Sequence, residues 1–262
     1  SIFIHWWDYG YMVQTLGNRT TVVDGGNANS YWNHLVGRYL LTENTPSASL
    51  SFMQSHNVSY LLIDPTDMGK YPAYSKIGSN DNWDRFSTIP LMVSDRSQTI
   101  EDANSTKRVY QGVSGVDEDI IYNENGAEIF LPGPTYDNVG NPSYKSLVIG
   151  AVIETSTGNS NMSIKRPEIV LSYNNKQQRI PIRYVYINGQ IMDFHSGVNS
   201  TIILIPNIFQ NSLGGLQIDA LGTAIYLSNR TMNSLFAQLY LMNDPFNRYP
   251  TIKVANSESD II

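Results

Sequence analysis

The spacing of apolar residues changes twice along this chain, and that change limits the folds open to it. Near the N-terminus Trp32, Leu35, Val36, Tyr39 and Leu40 recur at i, i+3, i+4, i+7 and i+8, one face of a 3.6-residue period. From about residue 85 short apolar runs of strand length take over, at 120–122, 128–131, 147–153, 169–173, 182–187 and 202–205, separated by turn residues. Among them Asn188-Gly189 sits between two such runs, the signal for a hairpin closed by a type I′ turn. The helical period returns with Met232, Leu235, Phe236, Leu239 and Tyr240. A helical stripe does not suit a strand, nor strand alternation a helix. The reading is an α+β fold. Its mixed helical and strand core is built from both ends of the chain, 1–95 and 223–262, with a β-rich module, sandwich or barrel-like, inserted over 96–222.

Local signals refine this. Asn29 or Ser30 can cap the first helix. A second helix is expected over 48–55, after Pro46, and a buried strand over 58–63. A third helix should start at Thr66 or Asp67, kink or break over 70–73 because of Pro72, and end at Gly78. The last helix should be capped by Asn229 or Thr231 and stopped by Asp244-Pro245.

Charge and composition exclude several functions. The net charge is −6 with no basic run, so nucleic acid is not an expected partner. There is no Cys, hence no thiolate nucleophile, disulfide or Cys-ligated zinc. His5, His34, His56 and His195 lack ligand spacing, and no Gly-x-Ser-x-Gly elbow occurs. No run approaches the roughly 20 apolar residues of a membrane-spanning helix. The chain starts with Ser1 and is read as a piece of a longer protein. Asn-x-Ser/Thr sequons stand at Asn18, Asn57, Asn104, Asn161, Asn199 and Asn229, a weak pointer to an extracytoplasmic setting.

The chemistry concentrates in Trp6-Trp7-Asp8-Tyr9-Gly10. Two indoles offer apolar area and N–H donors, and the carboxylate accepts. That set can hold a hydroxyl on a short aliphatic group. The plainer reading is two core indoles followed by a helix cap at Asp8.

The pentapeptide resembles the signature of the catalytic subunit of oligosaccharyltransferase, archaeal type, the membrane enzyme of N-glycosylation. The likeness continues over Gly17–Asn27 and at Asp67-Met68-Gly69-Lys70, followed by Tyr74 and Ile77, similar to the family's Asp-x-x-Lys motif with its Met or Ile positions. It covers roughly the first third of the chain and a C-terminal segment over 235–249, but not the middle. It implies that the chain is the extracytoplasmic C-terminal domain of an enzyme of the cell membrane. That enzyme moves a lipid-linked oligosaccharide to Asn in an Asn-x-Ser/Thr polypeptide. It also implies that Trp6, Trp7, Asp8 and Tyr9 with Asp67, Lys70, Tyr74 and Ile77 read the +2 Ser/Thr, Ile77 meeting the Thr methyl. Tyr74 stands where Met is common and brings a hydroxyl. Tyr9 reads as core rather than contact, and Gly10 as a tight turn. The divalent metal, Mn or Mg, would be bound by a membrane domain outside this chain, with no catalytic residue or metal ligand here. The fragment alone is expected to be inactive. The rival reading is a non-catalytic extracellular carbohydrate-binding or surface-layer module.

Overall fold

The computed structural model describes residues 1–124, 126–158, 161–210 and 214–255. The end of the expected C-terminal return, 256–262, and the side chain of the Asn161 sequon lie outside the described residues. Two compact units emerge. The first comprises Ser1–Ile89, Asn138–Gly140 and Arg230–Thr251; Pro90–Asp137 and Asn141–Asn229 make up most of the second.

In the first unit β1 (Ile2–Ile4), β2 (Thr20–Thr21) and β3 (Tyr60–Leu61) form a parallel sheet in the order β2-β1-β3. Only Tyr60 and Leu61 of the expected strand over 58–63 enter the ladder, opposite Phe3 and Ile4. The helical stripe forms α1 (Ser30–Val36), which continues into a π-helical turn, Gly37–Leu41. The Asn29 side chain accepts the Tyr31 N–H at 3.1 Å, as a cap should. Helix α2 (Pro46–Ser55) begins with Pro46 itself, where the missing N–H costs nothing.

Helix α3 (Asp67–Ile77) runs through Pro72 without a break, contrary to the expected interruption over 70–73. Pro72 lies just past the first turn. It removes only the bond to the Met68 carbonyl, in a turn whose own N–H groups already lack helical partners. The end of α3 crosses Gly37 closely: a Cβ there would lie 2.5 Å from the Tyr74 carbonyl oxygen. Arg38 then clamps Asp84 with two 3.0 Å hydrogen bonds and donates to the Gly78 carbonyl. These contacts fix α3 against α1.

The C-terminal helix is two pieces. Helix α4 (Asn229–Met232) ends, and helical backbone restarts ahead of a π-helical turn, Ala237–Leu241. Ser234 makes the break. Its hydroxyl donates to the Thr231 carbonyl at 2.7 Å and accepts the Ala237 N–H at 3.2 Å, closing one turn and capping the next. Phe236 delivers the expected apolar face to Tyr71 and Tyr74, at 5.6 and 6.0 Å between ring centroids.

The second unit holds β4 (Leu91–Glu101), β5 (Ser105–Gly115), the hairpin β6 (Ile120–Glu124) and β7 (Ala127–Leu131), and the short pair β8 (Thr135–Tyr136) and β9 (Pro142–Ser143). It continues with β10 (Ser146–Gly158), β11 (Asn161–Ile164), β12 (Glu168–Tyr173), β13 (Lys176–Ile187), β14 (Gln190–Asp193), β15 (Val198–Gln210) and β16 (Leu216–Leu227). The main sheet runs β10-β12-β13-β15-β16-β4-β5, and β5 pairs back onto β10. That closes a barrel rather than a sandwich. All its ladders are antiparallel except β13–β15. Asn188 and Gly189 both take positive φ, 50° and 77°, and turn β13 into β14 as a type I′ pair requires. Tyr110, Ile153, Leu171, Ile180, Val185 and Ile202 belong to the buried core. Each apolar side chain so buried contributes about 1.5–3 kcal/mol.

Candidate functional site

Strands β1 and β3 are parallel neighbours, so their C-terminal ends open on the same side. Open parallel sheets bind ligands there. From β1 the chain passes through buried His5 and Trp6 into a 3₁₀ turn, Trp7–Tyr9. From β3 it leads through Asp64 into the N-terminus of α3. Short loops from paired strands thus bring the two sequence motifs together.

Lys70 is the junction. Its Nζ lies 2.6 Å from Asp8 Oδ2 and donates to the Tyr9 hydroxyl at 3.0 Å. The Tyr9 hydroxyl donates to Asp67 Oδ1 at 2.8 Å. Asp67 is 1% exposed and also accepts the Asp64 N–H at 2.9 Å. Burial raises its pKa, with the Asp64 N–H, Tyr9 and Lys70 opposing. Tyr9 is pushed up to about 12, first by burial and also by Asp67, against Lys70 and Thr66. Burial works against the Lys70 ammonium, but its bonds to Asp8 and Tyr9 outweigh that and raise its pKa. The second Asp8 oxygen has no hydrogen-bond partner among the described residues. It is a ready acceptor on a side chain 28% exposed.

The two indoles have different places. Trp6 is 3% exposed and packs on Tyr74 at 5.5 Å between ring centroids; Trp7 is half-buried. The Tyr74 hydroxyl donates inward to the Asp67 carbonyl at 3.2 Å, so it is not offered outward. Ile77 is 41% exposed at the end of α3, about 10 Å along the axis from Lys70. It joins none of the hydrogen bonds or ring contacts of the cluster, although its carbonyl accepts from His34 at 2.8 Å. His5 Nδ1 lies 2.6 Å from the Trp6 carbonyl. A carbonyl only accepts, so that nitrogen carries the proton, and burial lowers the His5 pKa, against the pull of that bond.

Two features escaped the sequence reading. Tyr9 is a polar hub rather than plain core; its partners lie 58 and 61 residues away, beyond any local pattern. Gly10 is helical, φ −54°, so it serves no left-handed turn. A Cβ there would lie 2.2 Å from the Gly25 nitrogen. Glycine is needed because the Asp24-Gly25 backbone rests on it. Among the described residues, no group of three or more His, Cys, Asp or Glu side chains could hold a metal ion, and no helix is long and apolar enough to cross a membrane.

Fold and site define an α+β domain whose Trp-Trp-Asp-Tyr-Gly turn is ion-paired to an Asp-x-x-Lys helix. Residues 1–110 match the STT3/PglB/AglB core domain. The rice (Oryza sativa subsp. japonica) dolichyl-diphosphooligosaccharide–protein glycosyltransferase subunit STT3B is 38% identical over 58 residues, 22% of this chain and 8% of the relative. The corresponding subunit stt-3 of Caenorhabditis elegans is 38% identical over 58 residues, 22% of this chain and 7% of the relative. The crystal structure of the C. jejuni PglB C-terminal domain aligns with a TM-score of 0.40 and 11% identity, over 92% of this chain and 85% of that one. The matched segment spans under a tenth of the curated relatives' length. The match to that core domain covers the first 110 of the chain's 262 residues.

Proposed function

We propose that this chain is the acceptor-reading, extracytoplasmic domain of a membrane oligosaccharyltransferase, which moves a lipid-linked oligosaccharide to Asn in Asn-x-Ser/Thr. The observation that carries the reading is the Asp8–Lys70 pair at 2.6 Å, with the second Asp8 oxygen open. A +2 hydroxyl would donate to that oxygen and accept from Lys70 or an indole N–H. Trp7 would supply apolar wall, and Trp6 with Tyr74 would support the turn from beneath. The exposed Ile77 would meet the Thr methyl. A site built for a hydroxyl rejects an analogue lacking it by as much as ~10⁴-fold, whereas one methyl is worth only about 1 kcal/mol. Thr is then favoured modestly over Ser, and Ala and Val are refused. The transfer chemistry, with its divalent Mn or Mg, belongs to a membrane domain outside these residues, so this chain alone is inactive.

The test uses the full-length parent in membranes with its native lipid-linked donor, divalent metal and an Asn-x-Thr peptide. Glycopeptide is followed by mass spectrometry. Product from the parent, lost in a folded Asp8→Ala variant, supports the reading. An Asp8→Ala variant as active as the parent would move the +2 reader elsewhere. A folded parent that makes no product would favour a binding module instead.

A further inference from the structure

The barrel is split at one seam. The β16–β4 ladder ends at Thr223 opposite Val93. Beyond it each hairpin bulges, β16 over 220–222 and β4 over 96–99, before β16 pairs with β15 from Asp219 to Leu216 and β4 with β5 at Ile100 and Glu101. The two hairpins continue as separate arms with no ladder between them among the described residues. The gap is a cleft of about 950 Å³, at the upper end of the range for ligand sites.

Its β16 wall is the five consecutive residues Gln217–Leu221. Gln217, Ile218 and Asp219 pair with β15 on one side only, and their opposite main-chain edge, beside the cleft, has no ladder partner among the described residues. An open edge presents N–H and C=O groups ready to pair with another chain. At the floor Arg108 of β5 reaches Asp219 of β16 at 2.8 Å, and the Arg108 Nε is buried without a hydrogen-bond partner among the described residues. The Leu221 N–H is capped by the Asp219 side chain at 3.1 Å, which ends the free edge there.

Beside the edge, the Arg96 guanidinium lies on the Phe209 ring, 3.6 Å from its centroid. It has no hydrogen bond or ion pair among the described residues. Stacking holds the guanidinium while its N–H fork stays open, the arrangement that takes a carboxylate in two parallel bonds. Of the charged residues that line the cleft, Arg108 and Asp219 pair with each other, which leaves Arg96 and Glu101 without an ion pair among the described residues.

We propose that this cleft docks an extended polypeptide segment, added as a strand along the free edge of β16, with an acidic side chain held by Arg96. A repeating main-chain edge is matched by a peptide backbone, which offers donors and acceptors at the same period. A saccharide does not repeat that pattern, and one face of Phe209 is already covered by Arg96. The site is independent of the Asp8–Lys70 cluster.

The test uses the whole chain and a fluorescent peptide of alternating Thr and Val with one central Glu. Binding is read by anisotropy, and backbone protection by amide hydrogen exchange. The expected result is saturable binding that slows exchange within Gln217–Leu221. It should weaken about tenfold for Arg96→Gln or for the same peptide with Gln in place of Glu, the loss expected of one charge-assisted pair. It should disappear for a peptide N-methylated at alternate residues. Arg96 is exposed, and thermal unfolding checks that Arg96→Gln keeps the fold. The proposal is overturned by absence of saturable binding, by equal binding of the N-methylated peptide, or by indifference to Arg96→Gln. A hexuronate disaccharide that binds where the peptide does not also overturns it.

Discussion

The Tyr9 hydroxyl lies 2.8 Å from Asp67 Oδ1, across 58 residues of sequence, and donates to it. This pairing changes what the Asp-x-x-Lys motif does. Asp67 is too deeply buried to meet a ligand. It holds the Tyr9 hydroxyl, whose free lone pair accepts from Lys70 at 3.0 Å. Lys70 is thereby set against Asp8. Asp67 and Tyr9 hold Lys70 in place, and Asp8 with Lys70 is the part that faces outward.

Tyr9→Phe should therefore destabilise the fold by about 1–3 kcal/mol, because the buried Asp67 carboxylate loses a donor. Denaturant unfolding of the whole chain measures this. In the full-length parent the same change should raise KM for the acceptor peptide more than it lowers kcat, because Lys70 loses its rest on Tyr9. A variant as stable as wild type would show that the Tyr9–Asp67 bond carries no weight.

The same hydroxyl sets an alkaline limit. Burial, helped by Asp67 and opposed by Lys70, pushes Tyr9 up to about 12, above the ordinary phenol near 10. A group raised in the folded state stabilises it fully below the unfolded pKa and loses that contribution as pH climbs through the folded one. The Tyr9 contribution should thus be whole below about pH 10 and fade between about 10 and 12. Tyrosinate absorbance of wild type minus Tyr9→Phe should show one late step near 12. A difference step at the ordinary phenol value would mean that the hydroxyl is not held.

Lys70→Met separates reading from folding. The Asp8–Lys70 pair is 28% and 29% exposed, and pairs so placed are worth at most about 1 kcal/mol. The variant should keep its fold, with a melting temperature near that of wild type. In the parent it should lose discrimination between Asn-x-Thr and Asn-x-Ala peptides, and Lys70→Arg should restore part of it. Undiminished discrimination in Lys70→Met would remove Lys70 from the reader.

How much of this was legible in the sequence depended on range. Local rules worked where cause and effect sit within a few residues: the Asn29 cap, the α1 stripe, the Asn188-Gly189 turn. They failed where a single side chain redirects the backbone, as Ser234 does in splitting the last helix. They also failed where a distant segment decides. Closure of the barrel needs β10 to pair with both β12 and β5, and alternation within a strand says nothing of its partners. The Tyr9 hub has the same cause. Recognition of the motifs named Asp8 and Lys70, but not that Trp6 and Tyr74 pack on each other inside.

Gly10 offers the sharpest test that the signature turn rests on the segment after it. Its φ of −54° suits any residue, so glycine has no conformational role there. A Cβ would instead lie 2.2 Å from the Gly25 nitrogen and 2.5 Å from the Asp24 carbonyl carbon. Both are backbone atoms and cannot swing aside as a flexible side chain would. Gly10→Ala must push the Asp24-Gly25 loop away or lift the Trp7–Tyr9 turn, at about 1–3 kcal/mol. Gly26 is the control, because a Cβ there meets first the Asp24 Oδ1 atom at 3.1 Å, a side-chain atom that accepts the Gly26 N–H at 2.9 Å and need give only a few tenths of an ångström. Gly26→Ala should stay within about 0.5 kcal/mol of wild type. Denaturant unfolding of the two variants decides the matter: equal stabilities would mean that Gly10 and Gly25 are not in contact, and the support for Asp8 would have to come from α3 alone.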